Sequence, residues 1–333
     1  MWVKFSLWGI MGLKILVTGG AGFIGSHLID RLVERGDEVV CLDEFTDFYP
    51  PKIKRQNIEK HVESGKLAVV DGDICATKLI SAVFERFRPQ KVVHLAARVG
   101  VAQSVADPMA YEQVNVRGTL EILMQSVKYG VEHFIYGSSS SIYGNGKKLP
   151  LSEDVPARPI SPYAATKRAG EVLCHTWHHL HHLPVTCLRF FTVHGPRQRP
   201  DMVIHKFVRL MDAGKPIQML GDGSSRRDYT YVADIVQGIE ASLQNVFEYQ
   251  IINLGEARTV SLKELITALE AVTGKKATIE ELPANLWDAR ETYADISKAK
   301  KLLGYNPQVP LEAGLEKFWE WYRKNRELLA GVT

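Results

Sequence analysis

Tyr163 and Lys167 stand four residues apart in Tyr163-Ala164-Ala165-Thr166-Lys167. On a helix that spacing puts both side chains on one face. An ammonium near a phenol favours the phenolate, so Tyr163 could act as a base well below its free pKa of about 10. Upstream, Ser138-Ser139-Ser140-Ser141 supplies hydroxyls and no carboxylate. Downstream, Arg197 and Arg199 follow an apolar run ending at Phe191, with Thr192 beside them. A guanidinium fork suits a planar carboxylate, and a threonine hydroxyl can donate alongside it.

The second chemical signal is made of glycines. Leu13–Thr18 is an apolar run that enters Gly19-Gly20-Ala21-Gly22-Phe23-Ile24-Gly25 and then a helical pattern, Ile24-Leu28-Leu32. A strand-to-helix turn needs glycine where the backbone bends sharply and where a pyrophosphate approaches main-chain N–H groups. A further glycine lets the helix pack on the strand. Asp43 closes the next apolar run, where an acid would accept from the adenine ribose hydroxyls. Glu44 follows instead of arginine and would repel a 2′-phosphate, so the turn implies NAD and not NADP.

Other residue types carry less. His175, His178, His179, His181 and His182 crowd one segment, and two pairs have the i, i+4 spacing of metal ligands. No acid joins them and the chemistry above needs no metal, so they read as a solvated or interface face, with no metal site. Cys41, Cys75, Cys174 and Cys187 form no CxxC pair and read as reduced, mostly buried thiols, which fits the cytoplasm.

Positioning these groups requires a large scaffold. The chain has 333 residues, 45% of them hydrophobic, enough for a full core without staples. A net charge of +3 gives no basic excess for coating nucleic acid or an anionic membrane. Seven short runs, 13–18, 38–43, 67–71, 91–95, 133–138, 185–190 and 251–254, are apolar on both parities, as strands covered on both faces must be. Helical patterns lie between them, so the fold expected is α/β: a Rossmann-type, doubly wound parallel sheet of about seven strands. After Phe191 the alternation breaks up. We expect residues 12–191 with 229–255 to form the NAD-binding domain. Residues 192–228 with 256–333 would form a smaller α/β substrate-binding domain. Ser261 and Glu264 form a capping box ahead of a helix to Val272, and Leu311–Arg323 reads as an amphipathic helix. Residues 1–11 read as an extension outside the core, too short to span a bilayer.

The glycine turn and Tyr163–Lys167, together with His94-Leu95-Ala96-Ala97, Asn115, Ser138–Gly144 and Arg227-Asp228-Tyr229, resemble the extended short-chain dehydrogenase/reductase family. Within it, they resemble the NAD-dependent nucleotide-sugar epimerases and dehydratases. The stretch 161–202 looks most like the UDP-glucuronate 4-epimerase branch. The resemblance implies a catalytic set of Ser139, Tyr163 and Lys167. It implies a cofactor set of Gly19, Gly22, Phe23, Ile24, Gly25, Asp43, Asp73, Ile74, Leu95, Ala96, Ala97 and Asn115, with Tyr163 and Lys167. It implies that Ser139, Ser140, Ser141, Thr192, Arg199, Arg227 and Asp288 bind the UDP-sugar, Thr192 and Arg199 at its carboxylate. Dehydrating and decarboxylating relatives carry an acid just after the catalytic Ser or Thr, and this chain has Ser140 and Ser141 there. The implied reaction is therefore inversion at C4 through a transient ketone, with UDP-glucose the nearest alternative substrate and decarboxylation or dehydration further off. The chain departs from the family pattern at His194, usually tyrosine, and at Trp287, usually glycine. The resemblance also implies a homodimer in which helices near 115–129 and 163–182 form a four-helix bundle.

Overall fold

The computed structural model describes residues 12–146, 148–284 and 289–329. Seven strands form one sheet: β1 (Lys14–Thr18), β2 (Glu38–Asp43), β3 (Leu67–Asp71), β4 (Lys91–His94), β5 (His133–Ser139), β6 (Val185–Phe190) and β7 (Tyr249–Leu254). Their spatial order is β7-β6-β5-β4-β1-β2-β3, and every pairing is parallel. This is the doubly wound arrangement expected from the apolar runs. The strands are buried on both faces because their side chains serve two cores. Ile15, Val17 and Val39 point to one cluster, Leu16, Val40 and Val92 to the other. The order reverses between β1 and β4, and the crevice above the carboxyl ends of these strands is where ligands bind in such sheets.

The flanking helices are α1 (Phe23–Arg35), α2 (Pro51–Glu63), α3 (Thr77–Phe87), α4 (Thr119–Lys128), α5 (Pro162–His181), α6 (Val203–Asp212), α7 (Val232–Gln244), α8 (Leu262–Thr273) and α9 (Leu311–Lys324). Ser161 caps α5 by accepting from Ala164 N, and Pro162 occupies its first turn, so the helix that carries Tyr163 and Lys167 starts at a fixed point. The Ser261–Glu264 capping box at α8 forms as read. Helices α6, α8 and α9 build a third apolar cluster with Ile217, Met219 and Tyr229. Tyr229–Tyr231 pairs in parallel with Thr192–His194, outside the main sheet, and the chain rejoins the sheet at β7. All four cysteines are free; Cys41, Cys174 and Cys187 are buried and Cys75 is half-buried. Among the described residues no helix is long and apolar enough to cross a membrane.

Candidate active site

A cavity of about 940 Å³ opens above the carboxyl ends of the strands. One end is made mostly of backbone. Gly19 has φ +67°, and a Cβ there would sit 2.7 Å from Ala96 N. A Cβ on Gly25 would collide with the Gly19 carbonyl oxygen. These two positions admit only glycine, and the turn they make delivers the start of α1 to the cavity with no side chain capping it. The uncapped N–H groups and the positive end of the helix dipole fit a pyrophosphate. Asp43 lies at the end of β2 as expected. Its carboxylate accepts from Ala21 N (3.1 Å), Phe45 N (3.1 Å) and Lys54 Nζ (2.9 Å). The Lys54 contact had no signal in the sequence beyond a cation on the next helix. Gly22, Phe23, Ile24, Asp73, Ile74, Leu95, Ala96 and Ala97 line the same end. This end has the donors and the shape to hold NAD.

Asn115 has a different position. It is buried, accepts from Arg98 N (2.7 Å), and donates to Arg98 O (2.9 Å) and Thr166 Oγ1 (3.0 Å). Its amide ties the segment after β4 to α5. Lys167 also stands behind the wall, donating from Nζ to Gly137 O at 2.7 Å and lying over the Tyr136 ring. Burial lowers its pKa to about 8.

Tyr163 lines the middle of the cavity beside Ser139, Ser140 and Ser141. Burial raises the pKa of its phenol, while a hydrogen bond with Ser139 and the charge of Arg199 pull the other way. Ser139 and Arg199 both favour its phenolate, while Lys167, four residues on, donates to Gly137 O from behind the wall. Ser139 Oγ accepts from Ser141 N (3.2 Å) and Ser141 Oγ (2.9 Å) at the start of a single 3₁₀ turn. Ser138 points away and donates to Glu171 at 2.7 Å. Glu171 is fully buried and forked by Arg189 (2.8 and 2.9 Å), which also donates to Tyr143. This ion pair anchors β5 and β6 to α5, and it keeps the carboxylate nearest the serines out of the cavity. The Tyr111 ring stands edge-on to Tyr163 with centroids 6.3 Å apart, a neighbour the sequence did not reveal.

The other end is made of side chains, and here the two arginines part. Arg197 has φ +64° and turns away from the cavity to Asp30 on α1 at 2.9 Å. His27, one turn earlier on α1, bonds Pro196 O at 2.9 Å. Arg197 thus fastens its loop to the cofactor helix. Arg199 faces the cavity with Thr192, Met202 and Arg227. Its Nε and Nη2 are taken by Asp201, at 3.0 and 2.7 Å, and its guanidinium lies 5.5 Å from the centre of the Phe48 ring. Arg227 Nη1 donates to Arg226 O at 2.8 Å. Asp288 and Trp287 lie outside the described residues. His194, where the family pattern has tyrosine, is fully buried against Tyr229 and Tyr231 and away from the cavity lining. Among the described residues no cluster of His, Cys, Asp or Glu could hold a metal; His178 of the histidine-rich segment instead stacks on Tyr249.

The cavity therefore joins a dinucleotide cradle, a tyrosine among serine hydroxyls, and a guanidinium-bearing end, an arrangement that fits an enzyme acting on nucleotide sugars. Residues 16–318 match the GDP-mannose 4,6 dehydratase family, and the chain belongs to that family. Among its relatives, it is 40% identical to a UDP-glucuronate 4-epimerase of Thermodesulfobacterium geofontis, over 95% of this chain and 98% of the other. It superposes with TM-score 0.89 and 38% identity on the UDP-glucuronic acid 4-epimerase of Bacillus cereus solved with UDP-glucuronic acid and NAD, over 94% and 99% of the two chains. It superposes with TM-score 0.88 and 34% identity on the Thermotoga maritima UDP-glucose 4-epimerase solved with UDP-glucose, over 94% and 100%.

Proposed function

We propose that the protein is an NAD-dependent UDP-glucuronate 4-epimerase, interconverting UDP-glucuronate and UDP-galacturonate. The observation that carries the reading is the placement of Arg199 in one cavity with Tyr163, where a sugar carboxylate at C6 and a hydroxyl at C4 can be held at once. The likeness to UDP-glucuronate 4-epimerases in sequence and in structure supports it.

In this reading Tyr163 accepts the proton of the 4-hydroxyl, and Ser139 hydrogen-bonds the same oxygen as it becomes a ketone. Gly19, Gly22, Phe23, Ile24 and Gly25 hold the pyrophosphate of NAD, Asp43 its adenine ribose, and Lys167 acts from behind the wall. NAD, when bound, supplies a reversible acceptor for the hydrogen on C4. The proton returns from Tyr163 after the sugar has turned, so no net oxidation occurs. Thr192 and Arg199 bind the carboxylate, Ser140 and Ser141 assist at the sugar, and Arg227 meets the diphosphate. The 4-ketone is a β-keto acid, and it loses CO₂ only when the carboxylate bond aligns with the carbonyl π-system. A guanidinium that fixes the carboxylate out of alignment suppresses that loss. Although the family is named for a dehydratase, the serine tetrad lacks the carboxylate that elimination needs, and Glu171 is sequestered by Arg189.

Two further features belong to the same reading. Val105, Met109, Met124, Val172 and Leu180 are exposed on α4, α5 and the short helices before them. Such a surface fits a homodimer built through a four-helix bundle. The free, mostly buried thiols fit the reducing cytoplasm.

The test is to incubate the protein with UDP-glucuronate and resolve the products. UDP-galacturonate, formed with no net change in NADH absorbance, is expected. Release of UDP-pentose and CO₂, or no turnover, overturns the proposal.

A further inference from the structure

We propose that Arg197, outside the cavity, is a positioning residue for Arg199: paired with Asp30, it sets the distance between the carboxylate anchor and the cofactor helix. The inference rests on the 4-epimerase reading above, since it takes Arg199 to meet the sugar carboxylate. Chemistry at C4 requires the sugar to be placed against the cofactor, and a misplacement of about 1 Å can cost roughly 10²-fold. The pyrophosphate cradle is the start of α1, whereas Arg199 sits in the loop that leads to α6. On the α6 side that loop is held by buried Gln198. Its Nε2 donates to Val193 O (3.1 Å), and its carbonyl accepts from His205 Nδ1 (2.6 Å). On the other side α1 holds it, His27 donating to Pro196 O (2.9 Å) and Asp30 pairing with Arg197 (2.9 Å). His27 and Asp30 lie about one and two turns past Phe23, which lines the cofactor end. One helix thus carries the cradle at its start and the tie to Arg199's loop about 10 Å further along.

The backbone shows that the tie, and not the turn, is what the arginine serves. Arg197 has φ +64°, a conformation that a residue with a side chain keeps only where its surroundings hold it. Glycine would make the same turn freely, so the guanidinium is there for its contact. That contact is largely enclosed, with 18% of the Arg197 side chain and 16% of Asp30 exposed. Arg197 is not among the residues that line the cavity. Asp30 also takes Lys60 Nζ (3.1 Å) and His61 Nε2 (2.7 Å) from α2, which fix its carboxylate independently of Arg197. Burial raises the pKa of that carboxyl, but Arg197, His61 and Lys60 outweigh it and hold it below the usual carboxylate range.

The experiment compares wild type, Arg197→Gly, Arg199→Ala and the double variant. It measures kcat/KM for UDP-glucuronate, calorimetric affinity for UDP-glucuronate and for UDP, and the products. Arg197→Gly suits the left-handed backbone and leaves Asp30 with Lys60 and His61, so NAD content is expected to match wild type. Its kcat/KM for UDP-glucuronate is expected to fall about tenfold. Affinity for UDP, which has no sugar carboxylate, is expected to stay within about twofold. A larger share of the ketone is expected to be lost as CO₂: the C5–C6 bond breaks, C5 takes a proton, the hydrogen returns to C4 and UDP-pentose leaves. In the Arg199→Ala background Arg197→Gly is expected to cost less than about twofold more, since the group it positions is gone. Equal losses for UDP-glucuronate and UDP overturn the inference and leave the first reading standing. An undiminished loss in the Arg199→Ala background does the same, as does an unchanged kcat/KM. Should Arg197→Gly lose NAD, Asp30→Asn, which removes the charge and keeps the side chain's size, is judged by the same outcomes. Wild-type protein inactive on UDP-glucuronate overturns both readings.

Discussion

The two ends of the cavity are built by different means. The cofactor end is backbone: a glycine turn whose shape admits no Cβ, an uncapped helix start, and one acid at a strand end. The other end, proposed for the sugar, is a set of charged side chains fixed by pairing, Arg197 on Asp30 of α1 and Arg199 on Asp201 in its own loop under Phe48. Backbone geometry follows from local residue types, so one end can be read along the chain. Side-chain pairing is decided by tertiary placement, and two arginines two residues apart can serve opposite purposes.

The largest expected effect lies at the seam, where Tyr163 touches both ends. Tyr163→Phe is expected to lower turnover by at least ~10²-fold, since general acid–base catalysis contributes about 10²–10⁴. The phenol makes no part of the turn, so NAD content in the purified protein is expected to be unchanged. Steady-state kinetics and cofactor release on denaturation check the two halves. Full activity removes Tyr163 from the chemistry.

Arg199→Ala tests the side-chain end. Losing one partner of a desolvated charge pair costs ~2–5 kcal/mol, about 30-fold to several-thousand-fold in kcat/KM for UDP-glucuronate. UDP-glucose is expected to suffer far less, because Asp201, one quarter exposed, can hydrate when its partner goes. Product analysis is also expected to show some UDP-pentose from the loosened β-keto acid. An equal loss on both sugars means that Arg199 serves the diphosphate or the fold.

Gly25→Ala tests the backbone end. The added Cβ would meet the Gly19 carbonyl and stand 2.7 Å from Gly20 Cα, both of them backbone with little room to yield. Strain of about 1–3 kcal/mol translates into roughly ten- to a hundredfold weaker NAD binding. Fluorescence titration of the cofactor is the measurement. Unchanged affinity shows that the turn tolerates what its geometry excludes.

The division explains what the sequence disclosed. All seven sheet strands were legible because doubly covered strands must be apolar on both parities, and the observed bounds differ from the runs by two residues or fewer. The turn at Gly19–Gly25 and Asp43 were legible for the same local reason. Arg197 looked like a twin of Arg199, and only its left-handed backbone conformation turns it to α1. Lys54 on Asp43 and the Glu171–Arg189 pair under the serines join residues 11 and 18 positions apart, with no motif to announce them. Tyr163–Lys167 was found by spacing, but the placement of the Arg199 charge near the phenol is tertiary, and the spacing cannot show it. Asp201 had a faint signal, an acid two residues from an arginine.

The smallest effect expected is on stability, and it contrasts one buried histidine from each end. His94, at the end of β4, is bonded by Thr18 Oγ1 (2.7 Å) and Thr119 Oγ1 (2.9 Å). His194, behind Thr192, is fully buried and neither ring nitrogen has a hydrogen-bond partner among the described residues. Burial lowers the pKa of each to about 3, and for His94 the charge of Lys167 adds to it. A folded-state value below the unfolded 6.5 means that the unfolded chain binds more protons beneath pH 6.5. Stability is therefore whole above that pH and lost as pH falls toward 3, by up to about 2 kcal/mol per histidine at pH 5. His194→Phe removes one such site and no hydrogen bond. Its unfolding free energy is expected to fall less steeply between pH 6.5 and 5, by roughly 1.4 kcal/mol per pH unit. His94→Phe removes a site too and with it two buried hydrogen bonds, leaving Thr18 Oγ1 with Ala96 N and Thr119 Oγ1 with Asn115 O, so it is expected to lower stability even at pH 7.5. Denaturant unfolding across that pH range separates them. Parallel pH profiles for His194→Phe and wild type would mean that His194 is not held neutral by the fold.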